Sequence, residues 1–255
     1  MQGVLYVSHG TRLPEGLKEA KAFLQGVQKK IPAPLQQVCF LELASPTIEE
    51  GIEALVQKGA TTIAVVPVLL LSAKHFHEDI PEALYKCQKK YPTITLTYGK
   101  PLGIQERLIA LLEERIREKG TSLHKDVKVL LVGRGSHDPQ VKTAIETIAH
   151  RLAKRINVGQ IETCYLAACK PSFDEKLSDA WDSQSPQMIV VPYLWFNGLL
   201  IQSMQKKIDT LDPLHREIVL CRPMGNHAHI QNAFIDRVLE SFHLKFDPAP
   251  RLITH

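Results

Sequence analysis

The feature that most constrains the fold is an internal repeat. The segment V-L-Y-V-S-H-G-T at residues 4–11 resembles V-L-L-V-G-R-G-S at residues 129–136, at an offset of 125 residues. The same offset relates two further pairs, F-L-E-L-A-S-P-T at 40–47 with Y-L-A-A-C-K-P-S at 165–172, and V-V-P-V-L at 65–69 with V-V-P-Y-L at 190–194. Agreement at one offset across three separated segments indicates the duplication of one structural unit.

Within the first copy, short apolar segments alternate with amphipathic ones. The pattern predicts strands at residues 4–7, 38–43, 62–71 and 94–98, and helices at 17–27, 48–57 and 104–117. Segment 62–71 is apolar on both faces, which is typical of a parallel sheet covered by helices. We therefore predict an α/β protein of two tandem, similar domains, each a four-stranded parallel sheet flanked by helices. The predicted boundaries are 1–120 and 127–245, with a tail at 246–255.

Composition narrows the possible functions. The 255 residues are 44% hydrophobic and 23% charged, which is typical of a globular protein. The formal charge of +4 is spread along the chain, so we expect no nucleic-acid partner, although an acidic small substrate is favoured. The longest apolar run, 63–71, is too short to span a bilayer, and we expect neither a membrane association nor a signal peptide.

The cysteine pattern indicates a reducing compartment. Five cysteines without a C-x-x-C pair argue against both a disulfide framework and a zinc site. We expect these cysteines to be buried and the protein to be cytoplasmic.

The polar residues that differ between the copies identify a candidate site. His9, Glu42 and His75 follow the first three predicted strands, and the second copy replaces them with Arg134, Ala167 and Leu200. By contrast, the glycine and prolines near the strand ends are shared, since Gly10, Pro46 and Pro67 have counterparts in Gly135, Pro171 and Pro192. The carboxyl ends of parallel strands form the edge where doubly wound sheets bind ligands. Two imidazoles and a carboxylate suit a borderline divalent metal such as Fe²⁺ or Co²⁺, with coordination positions left open.

Each residue also has a purely structural interpretation. Taken alone, His9 could be a turn residue that is hydrogen-bonded to the backbone. Glu42 could be a solvated residue at a strand end, and His75 could lie at the exposed start of a helix. Their joint replacement in the second copy favours a functional role. His227 and His229, with no carboxylate or cysteine near them in sequence, are predicted to be solvated, and an accessory site is the alternative.

Four segments resemble the class II chelatases, and in particular the long sirohydrochlorin ferrochelatases. They are V-S-H-G-T-R at 7–12, F-L-E-L-A-S-P-T at 40–47, V-V-P-V-L-L-L-S-A-K-H at 65–75 and Y-G-K-P-L-G at 98–103. Short family members resemble one half of this chain and pair as dimers. The resemblance covers essentially the full length and implies a chelatase-like fold with an active site in the cleft between the domains. Because the duplication places both halves in one chain, we expect a monomer.

The resemblance also implies roles for individual residues. His9 would be proton acceptor and metal ligand, and His75 the second metal ligand. Glu42 would be a further ligand, an expectation that rests partly on the family pattern and partly on the repeat comparison. The residues bordering the tetrapyrrole would be Ser45, Leu70, Leu71, Ser72, Ala73 and Lys74. Ser45 stands where short members often carry an acidic residue, which makes it a departure from the pattern.

The implied reaction is insertion of ferrous iron into sirohydrochlorin, with release of two protons and no organic cofactor. Sirohydrochlorin carries eight carboxylates, so basic residues are candidate partners: Arg12, Lys74, Lys100 and Arg134. The sequence leaves open whether Co²⁺ or Ni²⁺ replaces Fe²⁺, and whether the substrate is sirohydrochlorin or its precorrin precursor.

Two other classes of function remain as alternatives. H-G-T-R at a strand-to-helix turn superficially resembles the nucleophile motif of histidine phosphatases, although Ser8 precedes the histidine. A two-lobed metal or tetrapyrrole carrier is the non-enzyme alternative, since fold alone does not fix function.

Overall fold

Strands and helices alternate along the whole chain. The computed structural model describes residues 1–11, 13–120, 123, 125–158, 160–182, 187–211 and 217–246, with the side chains of 180–182 excepted. The first series is β1 (Gln2–Ser8), α1 (Pro14–Gln28), β2 (Leu35–Phe40), α2 (Ile48–Gln57), β3 (Thr62–Pro67), a π-helical turn (His75–Asp79), α3 (Ile80–Lys90), β4 (Thr95–Tyr98) and α4 (Glu106–Arg117). The second is β5 (Val127–Gly133), α5 (Pro139–Ala153), β6 (Gln160–Tyr165), α6 (Phe173–Asp182), β7 (Gln187–Tyr193), α7 (Leu199–Asp209), β8 (Glu217–Leu220) and α8 (Ala228–Ser241).

The strands form two four-stranded sheets of the same topology. Their orders are β2-β1-β3-β4 and β6-β5-β7-β8, and all pairings are parallel. The predicted α/β architecture with two similar sheets is confirmed. In each sheet the first strand of the copy lies between the second and third, so loops from three strands meet at one edge.

The chain forms two compact units that are discontinuous in sequence. The first comprises the described residues of Met1–Arg12, Leu24–Leu102 and Phe234–His255, and the second comprises those of Leu13–Phe23 and Gly103–Ala233. The domain boundaries at 120 and 127 remain a prediction about the sequence repeat. Most of the proposed tail, residues 247–255, lies outside the described residues.

Apolar side chains on both faces of the central strands build each core. Strand β1 is buried from Gly3 to Ser8, and β3 from Ile63 to Pro67. In the first unit one cluster includes Leu5, Val7, Ile52, Leu55, Ile63, Val65 and Leu84. In the second unit the corresponding cluster includes Leu130, Val132, Phe173, Val190, Met204 and Ile208. Each fully buried side chain of this size contributes about 1.5–3 kcal/mol, so the central strands hold the sheet edge firmly in place.

Helix α2 begins with a capping box that recurs in the second copy. The Thr47 hydroxyl accepts a hydrogen bond from the Glu50 amide at 3.3 Å, and the Glu50 carboxylate accepts one from the Thr47 amide at 2.7 Å. Ser172 and Glu175 make the same reciprocal pair before α6, at 3.2 and 2.7 Å. Local sequence therefore fixes the start of the helix that follows the second strand in both copies.

Two predicted strands extend too far toward the sheet edge. Strand β3 ends at Pro67 instead of residue 71, because the chain turns away after Val68 and Leu69 packs against the core from a loop. Strand β2 covers Leu35–Phe40, since Leu43 has a φ of 62°, which a strand does not allow. Both errors fall on loops that carry candidate site residues.

Four cysteines, Cys39, Cys87, Cys164 and Cys221, are buried as expected, whereas Cys169 is half-buried. All five are free thiols. In the described part of the chain, each helix is either too short or too polar to cross a bilayer.

Candidate metal centre

His9 lies immediately beyond the carboxyl end of β1. The loop that carries it passes close to the loop after β2, where the Glu42 amide donates a hydrogen bond to the His9 carbonyl at 3.1 Å. This close approach requires glycine at the next position. Gly10 has a φ of +92°, and a Cβ atom there would stand 1.9 Å from the Glu42 carbonyl oxygen. Local backbone chemistry thus holds His9 beside Glu42.

The Glu42 side chain projects from an irregular turn between β2 and α2. The turn is closed by a hydrogen bond from the Phe40 amide to the Pro46 carbonyl at 2.8 Å. Glu42 Oε1 lies 3.3 Å from Nε2 of His9, and half of the Glu42 side chain is exposed. The carboxylate is therefore close enough to share a ligand or a proton with His9 while remaining accessible to solvent.

His75 opens the π-helical turn that leads into α3. Its Nδ1 lies 2.6 Å from Oδ2 of Asp79. An ionised carboxylate only accepts hydrogen bonds, so this contact assigns the ring proton to Nδ1 and leaves the Nε2 lone pair available. Metal-binding histidines are commonly oriented in this way by a carboxylate on the other ring nitrogen.

A second contact fixes the same turn. The Tyr98 hydroxyl donates a hydrogen bond to the Phe76 carbonyl at 2.9 Å, and the two rings stack at 5.0 Å. Burial raises the pKa of Tyr98 well above its usual value, so the hydroxyl keeps its proton and remains a donor. The last strand of the sheet therefore supports the backbone next to His75. Isolated π-turns of this kind are frequent at functional sites.

The structure brings His9, Glu42 and His75 together. The two imidazole rings meet edge to face, with centroids 4.8 Å apart and planes at 89°. One ligand atom from each of the three residues lies within 4.8 Å of the other two. About a quarter of each histidine side chain is exposed, 27% for His9 and 25% for His75. The trio can hold a divalent ion through three ligands and leave its remaining positions open to exchange.

The other predicted site residues lie in different settings. Ser45 is exposed in the turn that follows Glu42, and residues 70–73 are half-buried in the loop before His75. Lys74 is largely exposed, with its ammonium group 3.9 Å from Glu78. Lys100 is exposed as well, and Arg12 lies outside the described residues. The loop 70–74 and Ser45 thus flank the trio in sequence without joining it as ligands.

The second unit repeats the backbone of this edge without its ligands. The Ala167 amide donates to the Arg134 carbonyl at 3.0 Å, which is the counterpart of the contact between Glu42 and His9. Gly135 has a φ of +88°, and a Cβ there would stand 1.8 Å from the Ala167 carbonyl oxygen. The Arg134 side chain is exposed. The scaffold was therefore kept while the metal-binding groups were replaced.

The interpretation of His227 and His229 as solvated, with no carboxylate nearby, is wrong. Nε2 of His227 lies 3.1 Å from Glu114 Oε2, and Nε2 of His229 lies 2.9 Å from Glu114 Oε1. Glu114 belongs to α4, more than 100 residues earlier in the chain. Sequence reasoning missed it because nothing local links α4 to the start of α8. Asp79 was also missed, although the i, i+4 spacing from His75 was a usable signal.

Comparison with known proteins identifies the family. The family model described as CbiX matches residues 3–119 and, a second time, residues 128–241. The chain belongs to the CbiX family. The two matches agree with the duplication inferred from the sequence, and the predicted relationship to chelatases is confirmed.

Individual CbiX relatives match nearly the whole chain. The chain is 42% identical to a sirohydrochlorin ferrochelatase of Priestia megaterium over 250 residues, covering 97% of this chain and 94% of that protein. It is 30% identical to a sirohydrochlorin cobaltochelatase of the same organism, covering 94% and 80%. The solved structure of SirB from Bacillus subtilis with Fe³⁺ matches with a TM-score of 0.88 and 39% identity, covering 96% of this chain and 99% of that one.

Proposed function

We propose that this CbiX protein inserts Fe²⁺ into sirohydrochlorin, releasing two protons as the metal–nitrogen bonds form. The observation that carries the proposal is the convergence of His9, Glu42 and His75 at the carboxyl edge of the first sheet. The high identity to a protein named sirohydrochlorin ferrochelatase, over almost the full length of both chains, supports the choice of metal and macrocycle.

The trio would first bind the ion from solution. Three ligands are enough to select a borderline divalent ion, whereas a closed four-ligand cage would retain it. Asp79 would act as a positioning residue, keeping Nε2 of His75 unprotonated and aimed outward. Partial exposure of all three side chains allows the ion to leave toward a ligand that approaches from solvent.

Proton removal would follow from the same geometry. As the ion transfers to the macrocycle, Nε2 of His9 is freed and can accept a pyrrole N–H proton. The Glu42 carboxylate, 3.3 Å away, would stabilise the resulting imidazolium. The second proton would pass to solvent. His9 thereby changes from metal ligand to base within one step.

Substrate contacts complete the proposal. We place the macrocycle against Ser45 and the loop 70–74, and assign a substrate carboxylate to Arg134. The monomeric state and the cytoplasmic location remain predictions, the latter supported by five free thiols.

An assay that monitors metal insertion by the change in absorbance tests the function directly. Anaerobic mixing of Fe²⁺, sirohydrochlorin and protein should give siroheme far faster than the mixture without protein. His9→Ala and His75→Ala should each reduce the rate at least about 100-fold, because the first removes a ligand together with the proton acceptor and the second removes the ligand that holds the ion most firmly. His77→Ala, which removes an exposed histidine from the same turn, is the matched control and should retain activity. Near wild-type rates for both His9→Ala and His75→Ala would refute the assignment.

Cobalt insertion is the second candidate, because a cobaltochelatase also matches 94% of this chain. Competition between Fe²⁺ and Co²⁺ in one reaction decides between them. A carrier would bind metal and macrocycle without accelerating their combination, which the same progress curve reveals.

A further inference from the structure

A second trio of metal-binding groups lies in the second unit. The Glu114 carboxylate faces two histidines at once, with Oε2 3.1 Å from Nε2 of His227 and Oε1 2.9 Å from Nε2 of His229. The two imidazole centroids are 5.2 Å apart. Within the described residues, this trio and that of His9, Glu42 and His75 are the two groups whose ligand atoms converge closely enough to hold one ion.

The backbone that presents these groups is held in place. Arg115, next to Glu114 on α4, is 8% exposed and donates hydrogen bonds to the carbonyls of Pro223 and Met224 at 3.0 and 2.7 Å. The Met224 amide donates in turn to the Leu194 carbonyl at 3.0 Å. The segment leading to His227 is therefore fixed both to α4 and to the end of β7. Little conformational entropy would be lost when a ligand binds.

The donor set and spacing suit a transition metal. Zinc-like ions bind imidazole nitrogen and carboxylate oxygen at about 2.0–2.2 Å in tetrahedral geometry, which puts ligand atoms roughly 3.3–3.6 Å apart. The observed separations between Glu114 and the two Nε2 atoms, 3.1 and 2.9 Å, are somewhat shorter than this, so side-chain rotations that separate these atoms would admit an ion. All three side chains are partly exposed, which provides an entry path.

We propose that Glu114, His227 and His229 bind a second divalent transition-metal ion, separate from the ion that the first trio handles. Its donors, two imidazoles and a glutamate, are the same in kind as those of the first trio. Binding requires both Nε2 atoms to be unprotonated. In His227 the proton moves from Nε2 to Nδ1, which gives up the 3.3 Å contact with the His229 amide. Neutral rings release no net proton in this change.

The ion would join α4 to the residues that begin α8. Because the site forms only when these segments are folded together, a bound ion stabilises the folded second unit by an amount that grows with the logarithm of the free ion concentration above Kd. This ion stays bound and does not take part in metal insertion into the macrocycle. Its effect should therefore appear in metal content and thermal stability, independently of metal insertion.

Cobalt(II) is the probe, because it suits the same ligands as Zn²⁺ and its absorption reports coordination. The starting protein is the full-length variant His9→Ala/His75→Ala, which lacks two ligands of the first trio. Equilibrium dialysis should find about one Co²⁺ per chain. Adding His227→Ala and His229→Ala should weaken this binding at least about 100-fold and abolish the Co²⁺-dependent rise in melting temperature. Adding His150→Ala, an exposed histidine on α5, is the matched control and should change neither.

The Glu114→Gln variant controls for the possibility that the alanine variants fail to fold. Glutamine retains hydrogen-bonding capacity toward both rings but is a poor metal ligand, so the variant should fold and still bind Co²⁺ at least about 10-fold more weakly. Absence of Co²⁺ from the His9→Ala/His75→Ala protein overturns the proposal. Unchanged binding after loss of His227 and His229, or in the Glu114→Gln protein, overturns it equally.

Discussion

His75 Nδ1 and Asp79 Oδ2 are 2.6 Å apart within a single π-helical turn. The contact distinguishes the two histidines of the candidate metal centre. Nδ1 of His75 is committed to a carboxylate of its own turn, which leaves Nε2 for an ion, whereas His9 has Nε2 itself beside Glu42. We infer that His75 is the more permanent ligand and His9 the one that changes partner during the reaction.

The first prediction concerns Asp79. Asp79→Ala should weaken metal binding or turnover by about 10–100-fold, the usual effect of removing a carboxylate that orients a metal-binding histidine. Asp79→Asn should lose less, because its amide oxygen still accepts a hydrogen bond from Nδ1. The measurement is insertion rate against metal concentration. Glu82→Ala, which removes an exposed carboxylate from the first turn of α3, is the control. Equal rates for Asp79→Ala and this control would contradict the positioning role.

The second prediction uses the matched glycines of the two copies. Gly10→Ala and Gly135→Ala each place a Cβ within 2 Å of a backbone carbonyl at a positive φ. Each should lower the free energy of unfolding by about 2–4 kcal/mol, as measured by denaturant titration.

The same two glycine variants distinguish an effect on stability from an effect on metal binding. Only Gly10→Ala displaces the loop that carries Glu42, so only this variant should also lose metal affinity at temperatures where both proteins remain folded. If Gly135→Ala reduced metal affinity equally, the loss could not be assigned to the trio.

The third prediction concerns Arg134, the counterpart of His9. If its exposed guanidinium binds a substrate carboxylate, Arg134→Ala should raise KM for sirohydrochlorin by about 10-fold while leaving kcat unchanged. Arg134→Lys should recover part of the affinity, because it keeps the charge but not the bidentate geometry. Steady-state kinetics provide both constants, and a fall in kcat with constant KM would argue against a binding role.

The fourth prediction is a pH dependence of stability. Burial raises the pKa of Glu162, but hydrogen bonds and charge from Lys128 and Lys176 outweigh it, so the pKa lies below its ordinary value. The carboxylate lies 2.6 and 2.9 Å from the two ammonium groups. A carboxyl group with a lowered folded-state pKa stabilises the protein above its unfolded pKa of about 4.3, and this contribution disappears as the pH falls through the folded value.

Glu162→Gln should therefore cost about 1.5–3 kcal/mol at pH 7, and the difference from the parent protein should shrink toward acid pH. Denaturant titrations at pH 7, 5 and 3 measure it. A difference that stays constant with pH would show that the ion pairs contribute nothing through ionisation.

Much of the fold was determined by local sequence. The apolar strands follow local periodicity, and the repeat marks the glycines after β1 and β5, so these features were predicted from the sequence. Helix α2 was predicted at its observed bounds, 48–57. The trio of His9, Glu42 and His75 could also be predicted from the sequence, because parallel strands bring their carboxyl ends to one edge. The second copy, which lacks these three residues, served as an internal control.

Tertiary structure alone decided the rest. The ends of β2 and β3 depend on how loops pack over the sheet edge, and apolar residues such as Leu69 look the same in a strand and in a packed loop. The contact of Glu114 with His227 and His229 joins segments with no shared periodicity. The sequence by itself therefore determined which residues meet at a strand end, whereas side chains brought together by helix packing over long separations required the structure, because such contacts leave no local pattern.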